Sequence, residues 1–559
     1  MKYRSFLIIG TLFLAACAPT NFNQMGGGGM MGGDRGGMMQ GSFLPARDKN
    51  IDQLPEAKPM SILEVKDGET ITLNPELVRA TIVGRTFALY AYNGQFPGPT
   101  LKVKQGSTFT VNVTNNIDVP TTIHWHGIRL ENRFDGAAGV TQEAIQPGES
   151  FSYTVKVPDE GMFWYHPHVR EDLQQDMGLY GGLWVTPKDE KLYSVVNREE
   201  VLMLDDILLE GELPVPYGEK EANHALMGRF GNTMLINGTD PLSFGFGIQQ
   251  GTVRLYLINA ANTRTFRFQV RNMHSESLVP LTLVGGDGGR YEREQRVSFV
   301  TLSPSERAIV DVRFDETTTY TLEHGGPGDF QYALGTVVVD NALPPVRLRQ
   351  DRIREHADII RDIDAFRPYF DKPVDKTIHL SVESMPARMM QQGNPGGMQH
   401  GSTKLTTGGG EHGGNAPTPE SDDGIEWEDP MPQVNAMSTK HNTQWKLIDE
   451  ASAKENMDIA YQFKVGDKVK IRLVNDGEKD GSDHPMQHPI HFHGQRFLVL
   501  AVDGKPNENL VWKDTVLVTK GTTVVILLEV TNPGDWMFHC HIAEHLSNGM
   551  MGLFHVRES

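Results

Sequence analysis

Residues 106–115 read GSTFTVNVTN, residues 251–259 read GTVRLYLIN and residues 466–475 read GDKVKIRLVN. Each stretch opens on a glycine, alternates apolar and polar side chains, and closes on an asparagine. A period of two is the mark of a strand with one buried face. The glycine permits a turn into the strand, and the asparagine opens the loop that follows. Three copies of one strand unit predict an all-β chain of three Greek-key β-sandwich domains. Helical periodicity is scarce, and residues 351–365 are the best helical candidate.

The chain has 559 residues, 38% of them hydrophobic and 22% charged. That apolar content supplies several cores and excludes wholesale disorder. The formal net charge of −19 argues against a general nucleic-acid binder, which carries a basic footprint. There are two cysteines, Cys17 and Cys540, so no disulfide framework is expected.

The first 17 residues, MKYRSFLIIGTLFLAAC, read as an export signal. Lys2 and Arg4 form a basic start, and Phe6 to Leu14 form an apolar core too short to span a membrane. Leu14, Ala15, Ala16 and Cys17 resemble a bacterial lipobox, which implies a lipid anchor at Cys17. Ala18 follows the cysteine, which by resemblance to Gram-negative lipoprotein sorting implies the outer membrane, with the folded part facing the periplasm. Residues 18–54, including MGGGGMMGGDRGGMMQGS at 25–42, read as a Gly/Met-rich tether. Domain one is then expected at 55–190, domain two at 191–347 and domain three at 348–559. A second Met/Gly-rich stretch at about 385–423 reads as an insertion in domain three. Thioether and imidazole groups are ligands for Cu(I), so these segments read either as copper capture or as solvated linker. The acidic residues that follow, Asp422, Asp423, Glu426, Glu428 and Asp429, read as a solvated linker in preference to a cation guide.

Four His-X-His units occur: His124/His126, His166/His168, His491/His493 and His539/His541. On a strand, residues i and i+2 point to one side, so each unit presents two imidazoles together. The units fall in domains one and three as matching pairs. The middle domain has no such pair, and its His324 stands alone, so it is expected to be a spacer. Eight imidazoles suit a cluster of Cu, Zn, Fe or Ni ions. Cys540 decides among these metals. Its thiol points away from His539 and His541, with His488, His545 and Met550 nearby in sequence. Two histidines, a thiolate and a weak axial methionine make a blue-copper electron-transfer centre.

This constellation resembles the multicopper oxidase family. The residues that carry the resemblance are His124-Trp125-His126-Gly127, His166-Pro167-His168, His488-Pro489-Ile490-His491-Phe492-His493, and His539-Cys540-His541 with His545 and Met550. The resemblance implies three cupredoxin-like domains and four copper ions. His488, Cys540, His545 and Met550 would hold the type 1 copper, and His124 and His491 the type 2 copper. His126, His166, His168, His493, His539 and His541 would hold the type 3 pair. It also implies that dioxygen is reduced to two waters with four electrons drawn singly from a reducing substrate. Asp135 stands where the family has an acid beside the type 2 copper, and it reads equally as a turn residue before Gly136. Leu546 occupies a position that many bacterial members give to a proton-donating glutamate, and the neighbouring Glu544 reads either as a replacement or as a merely solvated acid. Met550 and the Met-rich segments favour easily oxidised donors, with Cu(I) ahead of Fe(II) and phenols. The chain is expected to act as a monomer. The alternative is a copper-binding or storage lipoprotein without turnover, which would need the Met/Gly segments alone.

Overall fold

All three repeated stretches are strands, Thr108–Thr114, Gly251–Asn259 and Lys468–Asn475. The computed structural model describes residues 42–328, 330–340, 353–392, 423–477 and 482–558. The asparagine that closes each repeat does more than open a loop. Asn115, Asn259 and Asn475 are buried, and each donates through its side-chain amide to two carbonyls outside its strand. The acceptors are Val119 and Ile145, Arg264 and Leu302, and Met486 and Val518. Each amide therefore ties its strand end to a following loop and to a neighbouring segment.

The strands form three groups along the chain. In the first, a five-stranded sheet runs Ile62–Val65, Gly98–Lys104, Gly181–Thr186, Gly161–His166 and His124–His126. A three-stranded sheet and a two-stranded hairpin complete that group. The middle group has a six-stranded and a five-stranded sheet. The last group has a seven-stranded sheet and a five-stranded one. That five-stranded sheet runs Ala460–Lys464, Met551–Arg557, Gly534–Cys540, His488–Phe492 and Thr515–Val518. Residues 41–559 form one compact unit.

Two details differ from the sequence reading. Residues 42–54 are folded: Ser42 and Phe43 pair with Gly218 and Tyr217, and Ala46 N donates to Asp118. The helix expected at 351–365 spans only Ala357–Asp364. Before it, Glu355 bridges to Arg293 and Arg354 N donates to the Glu294 carboxylate. An extended tie to the middle group thus replaces the first helical turns.

The cores aim the histidine strands. Trp125 lies between His124 and His126 and packs edge-on against Phe109, 6.3 Å between centroids, and against Tyr153 at 5.9 Å. Phe492 lies between His491 and His493 and stacks on Phe538 at 5.4 Å. Burial of one such large side chain contributes roughly 1.5–3 kcal/mol. With the central aromatic drawn into the core, its two neighbours must face the opposite side.

Candidate metal centre

The register of the two five-stranded sheets brings the His-X-His units together. His166 lies opposite His124, and His491 lies opposite His539. His168, Pro167 and the helix Glu171–Gln174 follow directly from the first sheet. All eight imidazoles are buried. Their ring nitrogens gather into compact sets: His126, His166 and His541; His168, His493 and His539; and His124, His126 and His491. Two exclusive trios therefore leave His124 and His491 as a pair.

The nitrogens turned away from this centre are held. His124 Nδ1 contacts the Asp135 carbonyl at 2.7 Å, and His493 Nδ1 contacts Asp135 Oδ2 at 2.8 Å. His166 Nδ1 and His539 Nδ1 reach the carbonyls of Pro167 and Cys540, both at 2.8 Å. His168 Nδ1 meets Glu171 Oε1 at 2.8 Å. His491 Nδ1 meets the Asp514 carbonyl at 2.9 Å, and His126 Nε2 meets Asp514 Oδ1 at 3.0 Å. Such partners fix both ring orientation and tautomer, as metal-binding histidines require.

The inward nitrogens tell the opposite story. His124 Nε2, His126 Nδ1, His166 Nε2, His491 Nε2 and His541 Nε2 are buried without a hydrogen-bond partner in the protein. Buried polar atoms are normally satisfied, so several orphans converging on one space mark a site for ions. Burial, followed by mutual repulsion, holds His126, His166, His491 and His539 well below the usual imidazole range. Burial likewise pushes His493 and His541 down to about 3. Neutral imidazoles are ready ligands. His168 goes the other way, because Glu171 outweighs its burial. Burial would raise Asp135, but His493 and His124 outweigh that and hold its carboxyl below the usual range.

On the far side of the same strand, Cys540 Sγ lies 3.6 Å from His488 Nδ1 and 3.7 Å from His545 Nδ1. The three are wholly buried. Trp445 stacks on His545 at 3.9 Å and meets His488 edge-on at 4.8 Å. Met550 is fully buried in the same apolar cluster, and Cys540 N donates to its carbonyl at 3.1 Å. Burial pushes the Cys540 thiol up and His488 down to about 3. A soft cation that replaces the thiol proton supplies the positive charge this interior lacks. Donor set and charge thus fit copper at both places.

Several of these partners had no sequence signal. Glu171, Trp445, Asp514 and Thr515 lie outside every motif. Glu544 is fully buried and takes a hydrogen bond from Thr263 at 3.3 Å, so it is not a solvated acid. Burial, reinforced by Asp172, pushes it up to about 8. Leu546 packs with Ala137 and Met537 in a small apolar cluster. The acidic stretch is not a solvated linker either. Glu428 pairs with buried Arg264 at 2.8 Å, Asp423 pairs with Arg267 at 3.0 Å, and Asp429 accepts from Asn435 at 2.7 Å. Asp422 lies outside the described residues. The middle group is more than a spacer. Leu226 and Met227 enter the cluster around Cys540, and Trp445 Nε1 donates to the Ala225 carbonyl. The Met-rich stretch opens as a helix, Met385–Gln392, with Ser384 Oγ accepting from Ala387 N at its start. Residues 393–422 lie outside the described residues.

Residues 76–190 and residues 426–559 each match a family model described as multicopper oxidase. A multicopper oxidase of Staphylococcus aureus is 26% identical over 475 residues, covering 83% of each chain. Copper resistance protein A of Escherichia coli is 23% identical, covering 83% of this chain and 89% of its own. A solved multicopper oxidase from Campylobacter jejuni, described as a metallo-oxidase, shares the fold. Its TM-score is 0.64 at 22% identity, covering 91% of this chain and 97% of that one. With the eight histidines and the trio His488, Cys540 and His545 buried in compact sets, residues 76–190 and 426–559 are multicopper oxidase domains.

Proposed function

We propose that this oxidase draws its electrons chiefly from Cu(I), and that it works as a lipid-anchored monomer facing the periplasm, in defence against copper. The observation that carries the oxidase reading is the shared strand. Cys540 faces one buried donor set while His539 and His541 face the other. A storage module has no use for that wiring. Copper bound by the Cys540 donor set would supply one-electron acceptance from the donor, and copper bound by the eight histidines would supply the four-electron reduction of dioxygen, which with four protons gives two waters.

The chain's own residues prepare this chemistry. His488, Cys540, His545 and Met550 offer the type 1 donor set in an apolar, buried surround. His124 and His491 are the pair left for the type 2 ion, and the two trios serve the type 3 ions. Asp135 holds His493 by Oδ2 and leaves Oδ1 buried without a hydrogen bond, 3.4 Å from His124 Nδ1. That atom is placed to accept or release a proton beside the cluster.

The choice of Cu(I) rests on soft donors and relatives. Met385, which opens the Met-rich stretch, and Met437, beyond its end, are exposed thioethers. One relative is named for copper resistance and one fold neighbour is described as a metallo-oxidase. The anchor rests on the lipobox ending at Cys17, which lies outside the described residues. Steady-state rates for Cu(I), Fe(II) and a phenol, with and without residues 393–420, test the donor. The deletion should lower the Cu(I) rate selectively, and equal losses on all three donors would reject copper capture. Cys17→Ser should release the protein from membranes, and unchanged partitioning would reject the anchor.

A further inference from the structure

Arg307, from the middle strand group, is buried and reaches both other groups with its guanidinium. Nη1 donates to Asp514 Oδ1 at 2.7 Å and Nη2 to Asp514 Oδ2 at 2.5 Å, a two-pronged clamp on the carboxylate. Nε donates to the Met162 carbonyl in the first group at 2.9 Å. Nη1 also reaches the Ser305 carbonyl and Nη2 the Asp287 carbonyl. The clamped Oδ1 is the atom that accepts a hydrogen bond from His126 Nε2, at 3.0 Å. Thr515 Oγ1 donates to the same Oδ1 at 3.0 Å and is itself within 3.2 Å of His491 Nδ1. Ser305 Oγ, again from the middle group, donates to Thr515 Oγ1 at 3.1 Å.

The consequence lies in which nitrogen His126 turns inward. Among the eight, the inward orphan is Nε2 for His124, His166, His491 and His541, but Nδ1 for His126. The ring is reversed because its Nε2 is occupied by Asp514. Room for the clamp is also built in. Gly127 follows the His-X-His unit at φ +81°, and a Cβ there would lie 2.3 Å from Asp514 Oδ2 and 2.9 Å from Arg307 Nη2. The glycine after His126 thus serves the approach of Asp514 and Arg307 from two other strand groups.

The geometry points to Arg307 as a positioning residue for the eight-histidine centre: by locking the Asp514 carboxylate it fixes His126 in the Nδ1-inward orientation and steadies His491 through Thr515. A bidentate arginine sets a carboxylate plane as a lysine cannot. The middle group therefore shapes the oxygen-reducing centre without supplying a ligand to it.

The test compares copper-loaded Arg307→Lys and Asp514→Asn with Arg264→Lys. Arg264 is an equally buried arginine that joins Asp206 to Glu428 away from the eight histidines. Arg307→Lys and Asp514→Asn should each change the type 2 electron paramagnetic resonance spectrum and the type 3 absorption. The type 1 blue band should stay intact, and turnover should fall roughly 10–100-fold. Arg264→Lys should leave all three copper signatures unaltered per folded molecule. Unchanged type 2 and type 3 signals in folded Arg307→Lys would overturn the proposal. So would the same spectral change in Arg264→Lys, or failure of both Arg307→Lys and Asp514→Asn to fold, since the pair would then be only a structural tie.

Discussion

The two faces of the strand Gly534–Cys540 are built on opposite plans. The Cys540 face takes its donors and Trp445 from residues 445–550, with Leu226 and Met227 of the middle group entering the aromatic and aliphatic packing around them. The other face is assembled from two distant strand groups, and its ligands are backed by Asp135, Glu171 and Asp514. The first plan suits the passage of one electron, where little charge or geometry should change. The second suits chemistry that consumes protons and holds several ions in register. The difference teaches that one strand can serve two purposes because side chains alternate across it, while the surroundings on each side set the chemistry.

Cys540→Ser breaks the comparison most severely. The blue band should vanish and turnover fall to background, while the type 2 and type 3 signals of the copper-loaded protein persist. Retained turnover in steady-state oxygen uptake would contradict the shared-strand account. Asp135→Asn attacks the other face alone. Turnover should drop roughly 10–100-fold with the blue band unchanged, because Asp135 steers His493 and touches no donor of the Cys540 face. Met550→Leu sharpens the apolar side. Loss of the thioether should raise the type 1 potential in a redox titration and leave the type 2 spectrum as it was.

The smallest effect is on stability. Burial pushes Asp176 up to about 7, against the opposing pull of Arg229. A carboxyl that keeps its proton in the fold but loses it in the unfolded chain near pH 4 makes folding less favourable as pH rises between those values. Asp176→Asn removes that term. Its stability relative to the parent, from denaturant unfolding of the metal-free proteins, should improve from about pH 4 to about pH 7 and then level. A flat difference would mean that Asp176 ionises normally.

Much of this architecture was legible in the sequence. The three glycine-to-asparagine repeats gave the sheets, and period two gave the facing of each His-X-His unit. The partners behind the ligands were not legible. Asp514 meets His126 across 388 residues and Arg307 meets Asp514 across 207, and no local pattern records such contacts. The acidic stretch at 423–429 misled for the same reason, since its charges are neutralised by Arg264 and Arg267 from another strand group. Nothing local to Glu544 marks it as buried, and the docking of Thr263 and the Glu171–Gln174 helix covers it.

The central claim is that the strand through Cys540 holds a different copper environment on each face. Anomalous X-ray scattering at the copper edge, on crystals of the copper-loaded chain, tests it most directly. The account predicts one copper bound by Cys540 Sγ, His488 Nδ1 and His545 Nδ1, and three more among the eight histidines, one of them on His126 Nδ1. An unligated Cys540 sulfur, or fewer than three coppers on the opposite face at full loading, would contradict it.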